Sequence, residues 1–125
     1  MPSVLIIDDE PEILETTRWA FELTGFDVAT ASTAEDALKF LESHHPQAFL
    51  IDYKLPGMSG ADFLKIARAN HPDIPAIMIT GLTHQAEVIE AHCRELGSFA
   101  FLNKPLRMEE VLATVKKAVG APHGS

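Results

Sequence analysis

The chain has 125 residues, enough for one hydrophobic core and too few for two. Its 46% hydrophobic residues and mean hydropathy of +0.06 are those of a folded globular chain, not a disordered one. A net charge of −8 argues against wrapping a nucleic-acid backbone, which needs clustered Lys and Arg.

The first apolar run, Val4-Leu5-Ile6-Ile7, has strand length and no polar alternation. Pro11 suits the first turn of a helix whose stripe is Ile13, Thr17, Ala20, Phe21 and Thr24, with Gly25 at its end. Val28-Ala29-Thr30-Ala31 is a weaker strand, expected nearer an edge. Ser32 or Thr33 caps a second helix with Ala34, Ala37, Leu38 and Leu41 on one face. A strand at Ala48-Phe49-Leu50-Ile51 precedes a helix capped by Ser59 and striped by Gly60, Phe63, Leu64 and Ala67. Ala76-Ile77-Met78-Ile79 is the fourth strand, and Ile89, Cys93 and Leu96 mark the fourth helix, with Gly97 at its end. Phe99-Ala100-Phe101-Leu102 and a helix carrying Met108, Val111, Leu112, Val115 and Val119 complete the series.

Continuous apolar runs alternating with amphipathic helices predict an α/β fold, (βα)₅, with one parallel sheet covered on both faces. Residues 1–119 are expected to form the domain, and 120–125 a tail or the start of a linker. The one cysteine, Cys93, has no internal partner, and Met1 is followed by neither a basic leader nor a long apolar stretch. Both features lead us to expect a cytoplasmic protein with no membrane contact. The six histidines show no metal-ligand spacing in sequence.

The chemistry sits where the strands end. Strand one runs into Asp8-Asp9, strand three into Asp52, strand four into Thr80 and strand five into Lys104. In an open α/β sheet these carboxyl ends share one edge, where the ligand crevice forms. Singly, each residue reads as a turn, a cap or a solvated side chain. Together they gather three carboxylates that repel one another unless a cation intervenes. A hard divalent ion, Mg²⁺ or Mn²⁺, suits such oxygen ligands and reaches for phosphate oxygens. A carboxylate nucleophile, a hydroxyl and a lysine beside it suggest phosphoryl transfer. No Gly-x-x-x-x-Gly-Lys loop is present to bind a nucleotide, so a phosphorylated partner or a small phospho-compound is the expected donor.

Four fragments together carry a family resemblance: Ile7-Asp8-Asp9-Glu10-Pro11, Asp52-Tyr53-Lys54-Leu55-Pro56-Gly57-Met58-Ser59-Gly60, Ile79-Thr80-Gly81 and Leu102-Asn103-Lys104-Pro105-Leu106. In order and spacing the chain resembles the receiver domain of two-component response regulators. The resemblance implies a flavodoxin-like (CheY-like) sandwich with strand order 2-1-3-4-5, for which a chemotaxis receiver is a standard example. It implies Asp52 as phosphoacceptor from the phosphohistidine of a sensor histidine kinase or a histidine phosphotransfer protein. Asp9, Asp52 and the Lys54 backbone carbonyl would bind Mg²⁺, with Asp8 acting through water. Thr80 and Lys104 would hold the phosphoryl oxygens, and Pro105 would follow a cis bond.

Thr80 and Phe101 would form the switch that alters the face of helix four, strand five and helix five toward an output partner, an effector domain or a second copy. The resemblance implies no enzymatic turnover beyond the domain's own phosphorylation and dephosphorylation. Lys54 and Leu82 fall where the family tunes phosphoryl lifetime, and Leu82 is expected to obstruct attacking water. Trp19, off the apolar stripe of the first helix, lies where family kinases commonly dock. The 23 residues between Thr80 and Lys104 exceed the usual family spacing, and Phe101 lacks the hydroxyl of the tyrosine often found there.

Competing readings are a haloacid-dehalogenase-type phosphatase and a receiver-shaped interaction module that no longer cycles phosphate. The first needs an Asp-x-Asp pair after the first strand and room for a substrate cap; the chain has adjacent Asp8-Asp9 and little spare length. Flavin binding is a third, but no Ser/Thr/Gly phosphate-cradling loop follows the first strand.

Overall fold

A computed structural model describes residues 2–81 and 85–120. Ten elements alternate strictly: β1 (Ser3–Ile7), α1 (Pro11–Leu23), β2 (Asp27–Ala31), α2 (Ala34–Leu41), β3 (Ala48–Asp52), α3 (Gly60–Asn70), β4 (Ala76–Thr80), α4 (Ala86–Glu95), β5 (Ala100–Asn103) and α5 (Met108–Gly120). All strand pairs are parallel, in the order β2-β1-β3-β4-β5.

The apolar runs behave as strands buried on both faces because alternate side chains enter two separate cores. Leu5, Ile7, Phe49, Ile51 and Met78 face a layer built with Ala34, Ala37 and Leu41 of α2, Phe63 and Leu64 of α3, and Ile89 and Cys93 of α4. Val4, Ile6, Leu50, Ile77 and Ile79 face the other layer, with Phe21 of α1 and Val111, Val115 and Ala118 of α5. Edge-to-face pairs anchor each layer, Phe49 on Phe63 at 5.4 Å and Phe21 on Phe26 at 5.0 Å.

Helix starts follow the caps read from sequence. Pro11 opens α1, and the Thr33 and Ser59 hydroxyls accept from the Asp36 and Asp62 amides. Gly25 and Gly97 take positive φ after α1 and α4, a conformation that favours glycine. Two expectations need adjustment. Every residue of β5 is half-buried or exposed, and the strand begins at Ala100, because the topology puts it at the sheet edge instead of between two neighbours. In α1 the inward stripe also includes Leu14, while Thr24 is exposed.

Candidate functional site

Strand polarity delivers the site. β1 ends at Ile7, and the Asp8 amide donates to the Ala31 carbonyl, which fixes the first residue past the strand. Asp52 is the last residue of β3, opposite Ile79 in β4. Thr80 closes β4, and its carbonyl accepts from the Lys104 amide at 2.7 Å, bringing the end of β5 alongside. The Lys104-Pro105 bond is cis. Asp8, Asp52 and Thr80 are at most 4% exposed, so polar groups form the floor of this edge.

Gly60 lets α3 begin directly over that floor. A Cβ there would lie 2.2 Å from the Asp52 carbonyl oxygen and 2.9 Å from Ile51 Cγ2. The Gly60 amide donates to the Tyr53 carbonyl at 3.0 Å, closing the loop that carries Asp52.

Lys104 organises the carboxylates. Its Nζ donates to Asp52 Oδ2 at 2.9 Å and to Glu10 Oε2 at 2.6 Å, and lies 3.3 Å from Asp8 Oδ2. The Asp8 contact has ion-pair distance but not hydrogen-bond alignment, so buried Asp8 Oδ2 lacks a hydrogen-bond partner. Asp8 Oδ1 accepts from the Glu10 amide at 2.9 Å, and Asp52 Oδ1 from the Lys54 amide at 3.1 Å.

Burial dominates the electrostatics. It pushes the Asp8 carboxyl up to about 6, against the Glu10 amide and Lys104, with the Asp52 charge adding to the rise. Burial also raises Asp52 above the ordinary carboxylate range, while Lys104 pulls it back and Asp9 pushes it further up. For Lys104 burial acts in the opposite sense and lowers its proton affinity, but its bonds to Glu10 and Asp52 outweigh that and raise it.

Carboxylate oxygens of Asp8, Glu10 and Asp52 lie within 4.8 Å of one another. With the unsatisfied Asp8 oxygen among them, this all-oxygen donor set fits a hard divalent cation. Asp9 stands on the exposed rim outside this tight group, near enough for its charge to act on Asp52. In the sequence Glu10 stands out only as part of the Ile7-Asp8-Asp9-Glu10-Pro11 motif. Its place just before Pro11, at the N-cap of α1, is the signal that turns it toward Lys104.

Lys54 is exposed and engages Asp52 through its backbone amide. Phe101 is partly buried against the core layer under α2, α3 and α4, in register with Met78 two residues before Thr80. Leu82 lies outside the described residues, as does part of the long segment between Thr80 and α4. Trp19 is exposed on α1, as its place on the helical wheel predicts.

A doubly covered parallel sheet in the order 2-1-3-4-5, with acidic residues and a lysine converging at its carboxyl edge, defines a flavodoxin-like α/β protein of the CheY-like type. The family model for the response regulator receiver domain matches residues 4–116. This chain belongs to that family, the receiver domains of two-component signalling.

It is 36% identical over 119 residues to the transcriptional regulatory protein KdpE of Mycobacterium tuberculosis, covering 95% of this chain and 51% of that protein. With PhoP of Bacillus subtilis, the alkaline phosphatase synthesis regulator, identity is 33% over 113 residues, covering 90% and 46%. The chain thus spans about half the length of these curated relatives. Among solved structures, a CheY-like receiver domain from Methanospirillum hungatei superposes with a TM-score of 0.87 at 29% identity, covering 95% of this chain and 94% of that one. CheY4 of Vibrio cholerae gives 0.86 at 25%, covering 94% and 98%. No helix among the described residues is long and apolar enough to cross a membrane.

Proposed function

We propose that Asp52 is the phosphoacceptor of this receiver domain and takes its phosphoryl group from a phosphohistidine on a sensor kinase or phosphotransfer protein. The observation that carries the reading is the Lys104 ammonium bonded to Asp52 Oδ2 inside a group of three carboxylates. Asp52 must act as an anion, and Lys104 opposes the burial that favours its protonated form. A carboxylate oxygen attacks phosphorus as the phosphorus–nitrogen bond of the donor breaks. The donor imidazole leaves with the bonding pair and takes up a proton.

Asp9 and Asp52, the Lys54 carbonyl, and Asp8 through water would hold Mg²⁺ or Mn²⁺, with Glu10 beside them on Lys104. When bound, the ion offsets negative charge on the carboxylates and the transferring phosphoryl group. Lys104 then exchanges carboxylate partners for phosphoryl oxygens, and the Thr80 hydroxyl supplies a further hydrogen bond. A shift of Thr80 and Phe101 would bias α4, β5 and α5 between two packings, which an output partner or domain reads. Lys54 and Leu82 tune how long the phosphoryl group survives, and Trp19 offers a docking ring to the kinase.

In this reading residues 1–119 form the working unit, 120–125 lead out of it, and the domain acts in the cytoplasm as a phosphoacceptor without turnover of a separate substrate. The test is incubation with Mg²⁺ and acetyl phosphate, followed by intact mass. A one-phosphate gain that disappears in Asp52→Asn is expected. Labelling that persists in the variant overturns the assignment.

A further inference from the structure

At the other end of the sheet, where β3 begins, two histidines far apart in sequence meet. His45 lies in the turn between α2 and β3, and His71 is the residue that closes α3. Their Nδ1 atoms are 3.2 Å apart, with rings tilted at 44° and centroids 5.2 Å apart. Two neutral imidazoles can share this contact only if one Nδ1 carries a proton and the other offers a lone pair.

The separation also matches another occupant. A zinc–nitrogen bond of about 2.0–2.1 Å in tetrahedral geometry places two ligand nitrogens about 3.3 Å apart. We propose that His45 and His71 form a two-imidazole site for a first-row transition ion of the Zn²⁺, Ni²⁺ or Cu²⁺ class, bridging the α2–β3 turn to the end of α3.

The backbone holds both ligands in place. Each histidine precedes a proline, Pro46 and Pro72, which restricts its backbone. Pro46 is buried, the Gln47 amide donates to the Ser3 carbonyl, and the His71 amide donates to the Ala67 carbonyl at 2.7 Å. His45 is exposed and His71 half-buried, so an ion and its remaining water ligands can reach both.

Neighbouring His44 is not a ligand. Its ring stacks on Phe40 at 4.1 Å, and its Nδ1 is engaged by the Phe40 carbonyl and the Ser43 hydroxyl. Imidazole nitrogen favours transition ions over Mg²⁺, whereas the carboxylate edge offers the oxygen ligands that Mg²⁺ accepts, so excess Mg²⁺ competes at that edge and not at the histidines. The five residues of β3, about 15 Å of strand, separate the two sites.

Zn²⁺ titration of the tag-free protein in excess Mg²⁺, followed by calorimetry and by histidine ring nitrogen resonances, tests the proposal. Expected is one saturable ion that moves the His45 and His71 Nδ1 signals and raises the melting temperature. His45→Ala or His71→Ala should weaken binding roughly tenfold or more, the advantage lost with a second tethered ligand; His44→Ala should leave it intact. Should either ligand variant melt without a cooperative transition, the wild-type ring resonances decide. Overturning results are no saturable binding, unmoved His45 and His71 signals (a shared proton only), or an affinity that both ligand variants retain.

Discussion

Replacing Asp8 by asparagine isolates the cost of burying charge at the acidic edge. The Asp8 carboxyl titrates at about 6 in the folded chain against 3.8 for an ordinary aspartate. That difference of roughly two units, at ~1.4 kcal/mol each, corresponds to about 3 kcal/mol. The unfolded chain releases this proton first as pH rises, so the folded state loses stability between about pH 4 and pH 6. Above pH 6 the penalty is complete, and below pH 4 it is absent.

Asparagine keeps the acceptor for the Glu10 amide and removes the charge. Asp8→Asn should therefore match or slightly trail the wild type near pH 4 and exceed it by about 2–3 kcal/mol at pH 7.5. Urea unfolding in EDTA at half-unit pH steps measures both curves. Added Mg²⁺ should recover stability in the wild type and less in the variant, because an ion bound only by the folded state stabilises it. A variant less stable at pH 7.5, or a stability difference that does not change between pH 4 and 7.5, would refute the reasoning.

Gly60→Ala drives a methyl group against the Asp52 carbonyl and should cost at least about 1–3 kcal/mol in urea unfolding, with the variant's phosphorylation slowed. The Cys93 thiol, buried and pushed up to about 11, stays protonated at pH 8; a disulfide reagent should label it only in denaturant, and full labelling of the native protein would contradict its placement. Tyr53→Phe deletes the hydroxyl contact with His92 Nδ1 at 2.8 Å, worth about 1 kcal/mol. Only Ile89 and Cys93 of α4 are buried, so the loss should appear as roughly fivefold faster amide exchange in α4 and leave β1 and β3 unchanged.

Most of the fold was legible because its strands are unusually plain. Val4–Ile7, Ala48–Ile51 and Ala76–Ile79 lie within the observed strands, since a strand covered on both faces has no polar position to blur the pattern. Phe99 misleads for the same reason: as a large apolar residue it extends the run, yet it lies outside β5 and is 40% exposed at the sheet edge. The convergence of Asp8, Asp52, Thr80 and Lys104 followed from strand polarity alone. What polarity does not set is which neighbouring carboxylate turns inward. Asp9 and Glu10 are adjacent, and only the path from Asp8 to the N-cap of α1 puts Glu10 on Lys104. The meeting of His45 with His71 was likewise hidden, because it depends on two loops whose only link is the tertiary fold.

A sheet whose five strands all run one way has a front and a back. Asp52 and its neighbours occupy the front, and the turns that feed the strands occupy the back. A fluorophore, a fused domain or a surface tether attached behind the sheet therefore meets none of the groups proposed to handle phosphate. The same polarity gives an engineer a fixed direction: the domain can be held from the back with its reactive edge still open to solvent.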